Sequence, residues 1–177
     1  ITTAEHAIAM MFSLARDIPA ASESTHAGRW EKSKFMGVEL SSKTLGIIGC
    51  GNIGAIVADR AMGLRMKVIS YDPYLSVEKA LDLGIEKVEL NELYERSDFI
   101  SLHTPMTDMT RGIINSEAFS KMKNNVRIIN CARGGLIVEQ DLKIAIESGK
   151  VAGAAIDVYE KEPAKENVLF GMEKVIA

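Results

Sequence analysis

The chain has 177 residues, 47% of them hydrophobic and 25% charged, so it is long enough for one domain with a sizeable core. A net charge of −3 without a lysine and arginine run argues against a nucleic-acid surface. No apolar stretch approaches the roughly 20 residues of a transmembrane helix, and no secretory signal pattern is present. The two cysteines lie among small residues beside predicted strands, which favours a reduced, cytoplasmic setting.

The first 40 residues predict two helices followed by an irregular arm. Residues 2–18 carry apolar side chains at helical spacing, and Pro19 is expected to end or kink this helix. A second helical stretch runs to Ala27. Residues 28–40 show no periodicity and contain the only tryptophan of the chain, Trp30.

From residue 43 onward, predicted strands alternate with predicted helices. The predicted strands cover residues 43–49, 66–72, 88–90, 99–105, 126–130, 151–159 and 174–177. The predicted helices cover residues 52–62, 76–84, 90–97, 115–123 and 138–149. Because the strands are continuous apolar runs, they favour a parallel sheet covered on both faces, which is a doubly wound α/β fold. Ligands of such folds bind beyond the carboxyl ends of the strands.

The stretch "GCGNIG" fits a dinucleotide-binding fingerprint between a predicted strand and a predicted helix. Gly49 allows the tight turn, Gly51 lets backbone approach a pyrophosphate, and Gly54 lets helix and strand pack closely. Asn52 and Ile53 complete the stretch, and free N–H groups at the helix N-terminus attract the anion. The alternative is a glycine-rich turn with no ligand.

An acidic residue, Asp72, ends the second predicted strand. A carboxylate at this position accepts hydrogen bonds from the adenosine ribose and repels a 2′-phosphate, which favours NAD over NADP. A turn aspartate before Pro73 is the alternative interpretation. Fingerprint and acid together predict a Rossmann-type fold with NAD as cofactor.

Four longer stretches together resemble the D-isomer specific 2-hydroxyacid dehydrogenase family. They read "GRWEKSKFMGVELSSKTLGIIGCGNIG", "FISLHTPMT", "VRIINCARGGLIVEQDL" and "GAAIDVYEKEP", and the resemblance runs over essentially the whole chain. It implies hydride transfer between NAD and a D-2-hydroxy acid, and the arm is most similar to members that act on D-3-phosphoglycerate in serine biosynthesis. Alternatives are a glyoxylate, hydroxypyruvate or D-lactate reductase of the family, or an NAD-sensing corepressor that binds partner proteins.

The resemblance implies roles for two charged residues of the substrate side. Arg133 is implied to hold the substrate's carboxylate and keto oxygen, and a planar guanidinium can do so through two parallel hydrogen bonds. A surface arginine at a turn is the alternative. Glu162 is implied to pair with a catalytic histidine and to raise its pKa.

Further positions are implied to contact the cofactor. Asp157 is expected to face the nicotinamide. His103, Thr104 and Pro105 match the loop that lies along the cofactor. Cys131 and Ala132 are expected to meet it through backbone and small side chains, so the thiol need not be reactive. No metal ligands are predicted.

The family's catalytic histidine lies in a proline–histidine step after the glutamate, and this chain has none. Its histidines are His6, His26 and His103, and none follows Glu162. His103 is discounted as the base because it lies on the cofactor loop. We therefore expect this chain to be part of a longer protein, in which the histidine lies just beyond Ala177 and a separate domain binds the substrate. The 177 residues alone are expected to bind NAD(H) without turning over substrate.

The resemblance also divides the chain into residues 1–40, a dimerisation segment, and residues 41–177, the NAD-binding domain, folded as one unit. It implies a homodimer or homotetramer. Trp30, Phe35 and Met36 are costly to expose, so a partner surface is plausible, and packing within the chain is the alternative.

Overall fold

A computed structural model describes residues 1–177 as a single seven-stranded sheet with helices on both faces. The strands are β1 (Thr44–Ile48), β2 (Lys67–Tyr71), β3 (Glu86–Lys87), β4 (Phe99–Leu102), β5 (Val126–Asn130), β6 (Val151–Ile156) and β7 (Val175–Ile176). The helices are α1 (Thr2–Ala15), α2 (Ile18–His26), α3 (Asn52–Gly63), α4 (Val77–Leu83), α5 (Leu90–Arg96), α6 (Ser116–Lys121) and α7 (Glu139–Glu147). Every pairing is parallel, in the order β3-β2-β1-β4-β5-β6-β7, so the predicted Rossmann-type fold is confirmed.

Two apolar cores lie on opposite faces of the sheet. One contains Ala7 of α1 and Val57 of α3 against Leu45 of β1. The other contains Leu93 of α5 and Leu142 of α7. Because helices cover both faces, the central strands consist mainly of apolar residues, which is why their sequences read as hydrophobic runs rather than as alternations.

The sheet changes winding direction between β1 and β4. The chain passes from β1 to β2 and β3 on one side, then returns to β4 on the other. A crevice opens at such a point beyond the carboxyl ends of the strands. The loops after β1 and β4 meet there, and the His103 N–H donates to the Ile48 carbonyl over 2.7 Å.

The prediction of a strand at residues 88–90 is wrong. The strand lies at Glu86–Lys87, and Leu90 begins α5. Val88 is buried in the core although it stands outside the strand, so its apolar character misled the assignment. Glu86 and Lys87 are exposed, and charged residues are tolerated there because β3 is an edge strand.

Other predicted boundaries were too long. Strands predicted to reach residues 105 and 159 end at Leu102 and Ile156. The first helix ends at Ala15, before Pro19, which lies in the first turn of α2 where its missing N–H costs no hydrogen bond.

The segment that joins α2 to β1 leaves large apolar side chains exposed. It contains a short 3₁₀ helix, Lys32–Phe35. Trp30 is 84% and Met36 76% exposed, so packing within the chain does not cover them, whereas Phe35 is half-buried. None of the helices combines the length and apolar character needed to cross a bilayer.

Candidate functional site

Two of the three fingerprint glycines are required by contacts within the chain. Gly49 has a φ of +91°, and a Cβ added there would lie 2.6 Å from the His103 carbonyl oxygen. A Cβ added at Gly54 would lie 2.2 Å from the Gly49 carbonyl oxygen. Glycine at both positions therefore brings the start of α3 and the loop after β4 against the end of β1.

The third glycine, Gly51, faces open space. A Cβ added there would meet nothing within 4 Å. Gly51 precedes α3, and no side chain caps the N–H groups of this helix end, which begins with Asn52 and Ile53. Uncapped N–H groups at a helix N-terminus attract anions, so the open space fits a pyrophosphate.

The carboxylate of Asp72 is fixed beside the glycine loop. Its Oδ2 accepts a hydrogen bond from the Cys50 N–H over 2.7 Å, and its Oδ1 accepts one from the Tyr74 N–H over 2.8 Å. Each carboxylate oxygen has a further lone pair available for an external donor. The geometry therefore suits an acceptor for ribose hydroxyls next to the anion position.

The loop after β4 forms the opposite wall and carries a neutral histidine. The Nε2 of His103 lies 2.8 Å from the Ser101 hydroxyl, and burial lowers the pKa of His103 to about 4. A group with this pKa is a weak base at neutral pH. Thr104 is half-buried and Pro105 is exposed beside it.

A buried amide holds the turn that carries Arg133. Asn130, the last residue of β5, accepts a hydrogen bond from the Ala132 N–H and donates one to the Arg133 carbonyl, both over 3.0 Å. The guanidinium is exposed, donates to the Ala132 carbonyl and forms no ion pair in the chain. It is therefore available to an external carboxylate. The sequence interpretation missed Asn130, although a polar residue ending a buried apolar strand is a usable signal.

The turn of Arg133 lies directly against the loop of Glu162. A Cβ added at Gly134 would lie 1.8 Å from the Tyr159 carbonyl oxygen, so only glycine permits this backbone contact. The Tyr159 N–H in turn donates to Glu162 Oε1 over 3.0 Å. The two charged residues singled out in the sequence thus lie on neighbouring, mutually braced loops.

The residue expected to face the nicotinamide, Asp157, has a partner on α1. Its N–H donates to the Asn130 carbonyl over 3.0 Å, and its Oδ2 lies 3.4 Å from His6 Nε2. Nothing in the local sequence around His6 indicates this pairing, because the two residues lie at opposite ends of the chain. Cys131 is buried beside them, and burial raises its pKa to about 12, so the thiol stays protonated at neutral pH.

All these groups lie at one edge of the sheet. In spatial order the strands are followed by Asp72 after β2, the glycine loop after β1, His103 after β4, Arg133 after β5 and Asp157 after β6. Four strand spacings make this row about 19 Å wide. A row of this width suits an extended dinucleotide, with an anion position at one end and a free guanidinium toward the other.

Comparisons with known proteins agree with this geometry. Residues 8–177 match the family described as D-isomer specific 2-hydroxyacid dehydrogenase, NAD binding domain. The chain is 48% identical to D-3-phosphoglycerate dehydrogenase of Archaeoglobus fulgidus, over 99% of this chain and 34% of that protein. It is 44% identical to the human protein of the same name, over 100% of this chain and 33% of that protein.

Solved structures match over almost the whole chain. The apo-structure of D-lactate dehydrogenase from Escherichia coli has a TM-score of 0.90 and 38% identity, over 98% of this chain and 54% of that one. A glyoxylate reductase from Paecilomyes thermophila has a TM-score of 0.91 and 38% identity, over 98% and 53%. The chain spans about a third of the length of the curated relatives it matches. It belongs to the D-isomer specific 2-hydroxyacid dehydrogenase family, of which it forms the NAD-binding domain.

Proposed function

We propose that this chain is the cofactor domain of a cytoplasmic enzyme that oxidises D-3-phosphoglycerate with NAD, in the synthesis of serine. The unpaired guanidinium of Arg133 at the carboxyl edge of the sheet carries this proposal. Relatives that are 48% and 44% identical bear the name D-3-phosphoglycerate dehydrogenase, which supports the choice of substrate.

Arg133 binds the carboxylate of the 2-hydroxy acid in this proposal. Two parallel N–H···O hydrogen bonds fix the plane of the carboxylate and so orient the adjacent carbon toward the cofactor. The hydrogen bonds from Asn130 keep the turn in place while the guanidinium itself stays free. NAD, when bound, supplies the hydride acceptor.

The proton of the substrate hydroxyl needs a base, and the histidines of this chain do not fit that role. His103 has a pKa of about 4, His26 lies on the exposed end of α2, and none of the three histidines follows Glu162 in the chain, as the family resemblance implies for the catalytic histidine. We assign the base to a histidine contributed by a part of the protein outside these 177 residues. Glu162, oriented by the Tyr159 N–H, then holds that histidine and favours its protonated form.

Gly51, Asn52 and Ile53 hold the pyrophosphate in this proposal, and Asp72 holds the adenosine ribose. The open space at Gly51 and the fixed carboxylate of Asp72 support these roles. A 2′-phosphate would meet the negative charge of Asp72, so NAD is preferred over NADP. His103, Thr104 and Pro105 line the opposite wall, and Cys131, Ala132 and Asp157 lie toward the nicotinamide.

A second substrate class within the family remains a candidate. A D-lactate dehydrogenase and a glyoxylate reductase share this domain with TM-scores of 0.90 and 0.91. The same carboxylate clamp serves any 2-hydroxy acid, because it contacts atoms that all of them share. The candidates are therefore distinguished by the part of the substrate that differs among 2-hydroxy acids, beyond the shared carboxylate and hydroxyl groups.

The test is NADH production by the full-length protein, with D-3-phosphoglycerate and D-lactate offered separately. We expect kcat/KM to be at least about 100-fold higher for D-3-phosphoglycerate, because a site built to bind a phosphate rejects a molecule without one. A higher kcat/KM for D-lactate would contradict the proposed substrate and favour the second class.

We also propose that residues 28–40 form the interface of a homodimer, in which they pack against a second copy of the chain. The exposed Trp30 and Met36 side chains support this, since such patches on a surface mark interaction sites. Trp30→Ser should shift the molar mass measured by light scattering toward the monomer, whereas a substitution of the exposed Tyr74 should leave it unchanged. A Trp30→Ser protein that stays dimeric would contradict this surface.

A further inference from the structure

Three side chains from separate elements converge beside the proposed nicotinamide position. His6 lies on α1, Cys131 follows β5 and Asp157 follows β6. An imidazole nitrogen, the thiol sulfur and a carboxylate oxygen all lie within 4.8 Å of one another. The proposed function uses the backbone of Cys131 and leaves its thiol and the imidazole of His6 without a role.

The packing of the fold holds these three residues together. Ala4 and Ala7 are buried on either side of His6, so small side chains let α1 lie close to the sheet. The Asp157 N–H donates to the Asn130 carbonyl over 3.0 Å, which ties the end of β6 to the residue before Cys131. The cluster therefore rests on backbone and core contacts rather than on flexible loops.

The separations fit a tetrahedral cation. Zinc bonds of about 2.0–2.2 Å to nitrogen and oxygen place two such ligands about 3.4 Å apart. His6 Nε2 and Asp157 Oδ2 are 3.4 Å apart. A zinc–sulfur bond of about 2.3 Å places the sulfur about 3.6 Å from each of them, and the three ligand atoms of the cluster lie within 4.8 Å of one another.

The donor set and the exposure fit the same kind of ion. A sulfur, an imidazole nitrogen and one carboxylate oxygen favour zinc and cobalt over magnesium and calcium. The His6 and Asp157 side chains are 46% and 53% exposed, so a cation can enter and keep a water as its fourth ligand.

We propose that His6, Cys131 and Asp157 bind a zinc-class divalent cation at the nicotinamide end of the row of strand ends, and that the thiol of Cys131 releases its proton to solvent when the cation binds. Asp157 cannot serve the cation and the nicotinamide together, so the cation and NADH exclude one another. The cation site stands on the cluster alone, whereas the exclusion rests on the proposed position of the nicotinamide.

The test is a titration of the full-length protein with Co²⁺, which gives a sulfur-to-metal charge-transfer band when a cysteine is a ligand. We expect this band in the unmodified protein and its loss in Cys131→Ser. Cys50→Ser serves as the control, because Cys50 is also buried but lies outside the cluster. A missing band, or a band that survives Cys131→Ser, would overturn the site.

A second variant keeps the test decisive if Cys131→Ser does not fold. His6 is half exposed, so His6→Gln should leave the fold intact and weaken Co²⁺ binding by at least about tenfold. His26→Gln, on the exposed end of α2, should leave the affinity unchanged. Equal affinities in the two variants would overturn the assignment of His6, and competition by excess Mg²⁺ would overturn the zinc-class preference.

Saturating NADH tests the mutual exclusion separately. We expect it to weaken Co²⁺ binding by at least about tenfold. An unchanged Co²⁺ affinity beside an intact charge-transfer band would overturn the exclusion. This measurement needs no substrate, so its outcome does not depend on whether the protein oxidises D-3-phosphoglycerate.

Discussion

At the scale of single residues, the glycines of the loop after β1 have different physical roles. Gly49 and Gly54 are required by backbone contacts of 2.6 and 2.2 Å that a Cβ would make, so they serve the fold. Gly51 makes no such contact, and nothing within the chain explains why it lacks a side chain. Substitutions at these positions should therefore separate folding from cofactor binding.

Gly51→Ala and Gly54→Ala form a matched pair for that separation. Gly51→Ala should leave the free energy of unfolding nearly unchanged and raise the Kd for NADH at least about tenfold, because the methyl group occupies the pyrophosphate position. Gly54→Ala should lower the free energy of unfolding by about 1–3 kcal/mol through overpacking. Urea unfolding and calorimetric NADH titration measure both quantities, and unchanged NADH affinity in Gly51→Ala would argue against the pyrophosphate assignment.

His103 links stability to pH. Burial lowers its pKa from about 6.5 to about 4, so at pH 5 the unfolded chain binds a proton that the folded chain does not. This contribution is fully present above about pH 6.5 and is lost as the pH falls toward 4. Between pH 7 and pH 5, His103 should lower the free energy of unfolding by about 2 kcal/mol.

The variant His103→Gln should lose that part of the pH dependence. Urea unfolding at pH 7 and pH 5 gives the difference in free energy of unfolding between the two pH values for the unmodified protein, His103→Gln and His26→Gln. His26 is exposed, so its substitution should leave the difference as it is. The same pH dependence in all three proteins would show that His103 titrates normally.

At the scale of elements, the loops after β5 and β6 act as one braced unit. Asn130 holds the turn of Arg133 through two side-chain hydrogen bonds, and its carbonyl accepts the N–H of Asp157. Gly134 then places that turn against the backbone of Tyr159. The position of the guanidinium thus depends on groups that never touch a substrate.

Asn130→Ala should therefore reduce both stability and turnover. It removes one hydrogen bond to each side of the turn, which should lower the free energy of unfolding by about 1–3 kcal/mol and reduce kcat/KM. Asn115→Ala is the control, because half-buried Asn115 braces another loop by donating to the Gly112 carbonyl and accepting the Ala118 N–H. Asn115→Ala should be less stable but keep its kcat/KM. If kcat/KM falls equally in the Asn130→Ala and Asn115→Ala proteins, Asn130 has no specific role in positioning Arg133.

The sequence predicts an element well where burial requires apolar residues, and poorly where the element is exposed. The apolar runs of β1, β4 and β5 and the glycine loop indicate the sheet and the cofactor edge, because a strand buried on both faces must be apolar. The charged edge strand Glu86–Lys87 carries no such signal. The pairing of His6 with Asp157 is invisible in the sequence because it depends on how α1 docks across the finished sheet.

At the scale of the whole molecule, the N-terminal segment and the sheet share a core. Met11 of α1 is buried in the same apolar cluster as Leu45 of β1 and Ile129 of β5. The same cluster contains Leu40, at the end of the arm. Helix α1 therefore belongs to the fold that presents the five strand ends, whereas Trp30 and Met36 of the arm are exposed.

The central claim is that NAD binds along this edge of the sheet and that Arg133 clamps the carboxylate of the substrate beside the nicotinamide. Steady-state kinetics of Arg133→Lys in the full-length protein test it most directly, with calorimetric NADH titration of the same variant. Lysine keeps the charge but not the two parallel hydrogen bonds, so kcat/KM should fall by about 100-fold while the Kd for NADH stays within about twofold. Arg60→Lys, at an exposed position on α3, should change neither quantity. An Arg133→Lys protein that keeps kcat/KM within about threefold of the unmodified enzyme would contradict the clamp.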